Sequence, residues 1–90
     1  MNYNEILEKI KGCINNNVNY SDRAKRDLKS VHFTEDILKD ILLNPTKIDE
    51  YCENNYIVHG KKTAKIRVEF AEDNSLLIHW IEYNKVPFIL

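Results

Sequence analysis

Residues 56–83 carry the clearest pattern of apolar and polar positions. From Thr63 to Phe70 the two alternate without a break, with Ala64, Ile66, Val68 and Phe70 on one side and Thr63, Lys65, Arg67 and Glu69 on the other. A period of two belongs to a half-buried strand. The run over 76–83 (Leu-Leu-Ile-His-Trp-Ile-Glu-Tyr) is apolar on both faces, which predicts an interior strand. Glu72-Asp73-Asn74-Ser75 between the two runs is turn chemistry of hairpin length, so the pattern predicts an antiparallel hairpin.

Upstream, the spacing changes to three and four. Ile6, Leu7, Ile10, Cys13 and Ile14 form one stripe of a helix over 4–14, with Asn4 as its cap and Asn15-Asn16-Asn17 as its stop. A second helix over 23–30, capped by Ser21 or Asp22, has a thin stripe of Ala24, Leu28 and Val31 and a mostly positive outer side. Thr34 caps a third helix that buries Ile37, Leu38, Ile41 and Leu42 and ends before Pro45. Residues 47–53 read as a short first strand, turning at Asn54-Asn55 into 56–60. The expected architecture is α+β: three N-terminal helices packed on a four-stranded, mainly antiparallel sheet. The apolar tail over 86–90 either folds back on the core or docks on another chain.

Ninety residues suffice for one modest core, and 43% hydrophobic with 30% charged residues describe an ordered globular chain. No apolar run approaches the length of a membrane span and no signal-peptide pattern opens the chain, so a cytoplasmic protein is expected. A net charge of −1 gives no bulk argument for nucleic-acid binding. Its distribution is uneven: 59–67 holds Lys61, Lys62, Lys65 and Arg67 with no acid, whereas 35–53 holds six acids against two lysines. The basic run fits either a local anion-binding patch or a solvated strand face. Cys13 and Cys52 have no close-spaced partner and read as reduced core thiols, so neither a metal nor a cofactor is expected.

Cleavage of RNA by its own 2′-hydroxyl needs a base, an acid and cations for the phosphate. His59 and His79 are the candidates for proton transfer, Tyr83 for a stacking platform or acid, and Arg23, Arg26, Lys61, Lys65 and Arg67 for RNA phosphate. His79 and Tyr83 share strand parity, which places them on one sheet face. Each has a plainer reading. His79 also fits a satisfied core histidine, His59 an exposed strand end, His32 a packing residue, Trp80 and Tyr51 core aromatics, and Arg23 and Arg26 a salt-bridged helix face.

The run Tyr20-Ser21-Asp22-Arg23-Ala24, the helix after Phe33-Thr34-Glu35-Asp36, the link over 44–51 and the strand patterns at 56–60, 65–70 and 76–83 resemble the DUF4258 group. That group resembles a branch of the RelE-like and BrnT-like fold of small RNA-cleaving toxins, and MqsR-like toxins share the helix-then-sheet order. The resemblance spans about residues 18–84 and implies a single RelE-like α+β domain over 1–90. It further implies a metal-independent endoribonuclease of the toxin–antitoxin type, neutralised by a protein partner. In the group's Ser-x-His-Ala signature, Ser21 and Ala24 match while Arg23 stands at the histidine. Asp27 stands where an arginine is usual, and Lys65 near a usual histidine. A second reading keeps the fold without catalysis: an inhibitor or immunity-type protein that binds another protein through its acidic helices and apolar tail.

Overall fold

The computed structural model describes residues 2–15 and 17–83; the apolar tail lies outside the described residues. In chain order the elements are α1 (Tyr3–Cys13), β1 (Val18–Tyr20), α2 (Asp22–Ser30), α3 (Glu35–Leu43), β2 (Lys47–Cys52), β3 (Asn55–His59), β4 (Lys65–Phe70) and β5 (Leu76–Glu82). Each helix starts where a side chain accepts an amide that has no partner within the helix. Ser21 Oγ takes the Ala24 N–H at 3.0 Å and Thr34 Oγ1 the Ile37 N–H at 3.2 Å, at the expected caps. α1 begins earlier than expected because Asn2, and not Asn4, caps it, accepting from Glu5 N–H at 2.9 Å.

The sheet corrects the expected architecture. It has five strands in the order β1-β5-β4-β3-β2, and it is mixed: β1 runs parallel to β5, pairing Val18 with Leu76 and Tyr20 with Ile78, while the other neighbours are antiparallel. The α+β class stands, but a four-stranded, mainly antiparallel sheet does not. Three residues between asparagines and a helix cap are too short to show a period of two, and the partner of β1 is distant in sequence. One side of the sheet is the core. Tyr56, Val58, Ile66, Val68, Leu76, Ile78 and Ile81 meet Ile6, Ile10 and Ile14 from the first helix region and Leu38 and Leu42 from α3, all buried. Gly60 belongs to this packing, since a Cβ there would stand 2.8 Å from Ile41 Cγ2.

β1 covers only the first half of the β5 edge. Past it α2 takes over: Ser21 N–H donates to the Ile78 carbonyl at 3.0 Å, Ser21 Oγ to the His79 carbonyl at 2.7 Å, and the Asp27 carboxylate accepts the Ile81 N–H at 3.0 Å. Asp27 thus acts as a substitute strand partner. Asp27→Ala is expected to cost about 1–3 kcal/mol by leaving a half-buried amide unpaired, whereas Asp27→Asn, which keeps an acceptor oxygen, recovers most of it. Urea denaturation of the two variants checks this.

Two turns show where backbone strain sits. Lys62 and Thr63 have φ of 58° and 66°, and Ala64 N–H reaches the Lys61 carbonyl at 3.4 Å. Left-handed φ at both central residues is the requirement of a type I′ turn, which Asn-Gly meets without a steric penalty. Lys62→Asn, which puts a residue tolerant of left-handed φ at the first of these positions, is therefore expected to raise stability by about 1 kcal/mol, read as a higher thermal midpoint. In the β4–β5 turn Asn74 takes φ of 63°, and Asp73 accepts from both the hydroxyl and the N–H of Ser75. These bonds hold the Asp73 carboxyl below its ordinary value. A depressed folded value stabilises above the unfolded value of about 4 and is lost as pH falls through the folded one. Asp73→Asn is accordingly expected to flatten the decline of the thermal midpoint below about pH 4.

Candidate nucleic-acid interface

α1 and α3 pack on one side of the sheet, and directly opposed residues on neighbouring strands share a face. On the other side the register forms cross-strand rows. Lys47, His59, Lys65 and Glu82 form one, Asp49, Ile57, Arg67 and Trp80 the next, and Asn55, Glu69 and Leu77 a third. Lys65, Asp49 and Glu82 are exposed, and His59, Arg67, Glu69 and Trp80 half-buried.

The last strand breaks its alternation. Arg67 pairs with Trp80 but Val68 pairs with Ile78, so His79 is an extra residue in a bulge. A bulge re-aims side chains. Here the His79 ring reaches Glu69 on the open face, with Nε2 2.6 Å from Oε1, and the next residue, Trp80, lies 5.9 Å from the Arg23 guanidinium. A carboxylate can only accept, so the tautomer that suits this contact carries its proton on Nε2 and leaves Nδ1 to act as a base. The side chains of His79 and Glu69 keep 26% and 36% exposure, so the pair is open to a ligand.

Arg67 projects from the same face of β4 as Glu69, two residues before it. Nε and Nη2 both donate to Asn55 Oδ1, at 3.1 and 3.0 Å, and the guanidinium lies 4.6 Å from the Tyr51 ring centroid. Asn55 is itself oriented by donating to the Glu53 carbonyl at 2.8 Å. Arg67 is thus held by neutral groups, which leave its charge available to an anion. His59 forms a separate pair at the opposite end of the face: Nε2 lies 2.8 Å from Asp49 Oδ2, with Lys47 3.6 Å from the same oxygen. The His59 hydrogen bond, more than the Lys47 charge, holds the Asp49 carboxyl below its ordinary value.

The candidates therefore divide. His79 and Arg67 share the open face on neighbouring strands, but the Arg67 guanidinium is directed across it to Asn55 and Tyr51; Arg23 lies near Trp80, and Lys65 stands opposite His59 one row away. Tyr83 does not join them. The bulge shifts parity by one, and the Tyr83 ring packs against Phe33, 5.2 Å between centroids, where Phe33 borders the core. Lys61 lies in the β3–β4 turn beside Asp40 and Asn44, and Arg26 is exposed on α2. Arg23 also faces Asp27 at 3.6 Å. Trp80 and Tyr51, which fit core positions by sequence, are on the open side, Tyr51 with 53% exposure. Cys13 is a buried thiol as expected, but Cys52 is exposed. Glu69, Asn55 and Asp49, the partners that orient the site, carry no sequence signal beyond their polar parity.

No family model, no curated protein and no solved structure matches the chain. Among the described residues, no helix is long and apolar enough to cross a membrane.

Proposed function

We propose that the open face of the sheet binds single-stranded RNA and cleaves it through the RNA's own 2′-hydroxyl, with His79 as general base. The observation that carries this reading is the Glu69–His79 pair on the open face that Arg67 shares. Glu69 fixes the ring and stabilises the imidazolium that forms when Nδ1 takes the 2′-proton. The 2′-oxygen attacks phosphorus, Arg67 offsets the growing negative charge, and the bond to the 5′-oxygen breaks. With Tyr83 turned toward Phe33 and His59 paired with Asp49, the departing 5′-oxygen takes its proton from solvent at this exposed face. The products are a 2′,3′-cyclic phosphate and a 5′-hydroxyl, and no metal enters the reaction.

The resemblance to small RNA-cleaving toxins supports the same reading. With it comes a cytoplasmic setting and a protein partner that silences the enzyme by covering this face. Purified protein is incubated with an end-labelled RNA oligonucleotide and its 2′-deoxy counterpart in the presence of a chelator. Cleavage of the RNA alone, ending in a cyclic phosphate, is the expected result. Intact RNA after prolonged incubation overturns the enzyme reading and favours the non-catalytic protein-binding module, for which the acids Asp49, Glu69 and Glu82 on the same face supply charge complementarity.

A further inference from the structure

Two aromatic rings on the open face each lie near a guanidinium: Trp80 with Arg23, at 5.9 Å, and Tyr51 with Arg67, at 4.6 Å. Arg67 also links the two rings, because its backbone opposes Trp80 while its side chain reaches Tyr51. Trp80 and Tyr51 sit on strands three steps apart in the order β5-β4-β3-β2, which separates their backbones by about 14 Å. Neighbouring stacked bases stand only about 3.4 Å apart, so adjacent bases cannot occupy both rings; a strand unstacked to roughly one and a half to two times that rise touches both with on the order of three to four nucleotides.

We infer that Trp80, next to His79, and Tyr51, across the sheet, are two base-stacking platforms, so that the face takes a splayed single strand of about three to four nucleotides and rejects a duplex. This deepens the RNA reading and rests on it for the kind of ligand, but stacking needs no 2′-hydroxyl and no proton transfer. Arg23 and Arg67 serve as phosphate partners next to each ring, the combination of cation and π-surface by which single strands are held without regard to base identity. A base pair inside a duplex offers neither of its faces to a protein ring, which is why the platforms select an unpaired strand.

The test uses the chain's single tryptophan as its reporter. The full-length protein is titrated with 2′-O-methyl oligouridylates of one, two, four and six nucleotides, which lack the attacking hydroxyl, and Trp80 emission is followed. Quenching by all lengths is expected, with affinity rising about ten- to a hundredfold between two and four nucleotides and levelling off afterwards. In Tyr51→Ala that rise should shrink at least fivefold while mononucleotide quenching persists; Tyr51 is exposed, so the variant is expected to fold, and its circular dichroism checks this. A duplex of the same length should leave the emission unchanged. An affinity that climbs smoothly with length and is indifferent to Tyr51 overturns the two-platform inference and leaves charge alone as the binding force. Absence of quenching at every length overturns it as well. If the unmodified RNA is nevertheless cleaved, the catalytic proposal survives that result; if quenching follows the expected steps while RNA stays intact, the stacking face survives and the catalytic proposal does not.

Discussion

RNA cleavage by the His79→Ala variant is expected to fall about 10²- to 10⁴-fold below the wild-type rate, the range over which removal of a positioned general base acts. The loss should appear in kcat with KM nearly unchanged, because the ring contacts the substrate mainly through the proton it removes. Glu69→Gln keeps an oxygen facing the ring but loses the charge that stabilises the imidazolium, so a smaller loss in kcat is expected. Arg67→Ala removes both phosphate attraction and the support beneath Tyr51, and should raise KM as well as lower kcat. His59→Ala, whose ring is paired with Asp49 one row away, should leave kcat near the wild-type value. Initial rates on one labelled RNA across the four variants separate these cases. Equal cleavage by wild type and His79→Ala removes His79 from the mechanism.

Leu42→Ala is expected to destabilise the fold by about 3 kcal/mol. Leu42 has no exposed surface and sits in the middle of the contact between α3 and the sheet, so truncation loses buried methyl groups and leaves a cavity. A domain of this size has a total stability on the order of 5–13 kcal/mol, so this one side chain decides a large part of it. The thermal midpoint should drop by roughly 12–24 °C. Ile37→Ala is the matched control. It lies on the same predicted stripe, yet Ile37 is 43% exposed, and a change within about 0.5 kcal/mol is expected. Equal effects at the two positions contradict the packing described for α3.

The comparison of Leu42 with Ile37 also shows how far residue pattern reaches. A spacing of three and four identifies the helix and its inward direction, but a stripe four residues wide does not say which of its borders the sheet covers. The caps at Ser21 and Thr34, the hairpin at Glu72-Asp73-Asn74-Ser75 and the interior position of β5 were legible because each is a local property of neighbouring residues. β1 was not, since its pairing with β5 joins distant segments and three residues hold no period. The site was legible in part. Parity puts Lys65 and Arg67 on one face of their strand, but whether His79 shares that face depends on the register between strands, and the bulge at His79 undoes the parity argument for Tyr83 and brings Trp80 out beside the histidine. Bulges depend on the partner strand, so a single run of residues does not announce them. Asp27, an oddity when set against a toxin signature, serves the backbone of β5.

The parallel pairing of β1 with β5 also constrains how the chain matures during synthesis. Val18-Asn19-Tyr20 leaves the ribosome well before Leu76-Leu77-Ile78, the segment that completes its hydrogen bonds. Until then the amides of β1 are satisfied by water, and α2 has no edge to lie along. The meander β2-β3-β4-β5 is local and can form by successive hairpins, whereas capture of the early segment closes a loop far longer than any of those hairpins and comes last. A nascent chain stalled before Leu76 should therefore stay sensitive to protease around residues 18–30, and become resistant once β5 has cleared the exit tunnel.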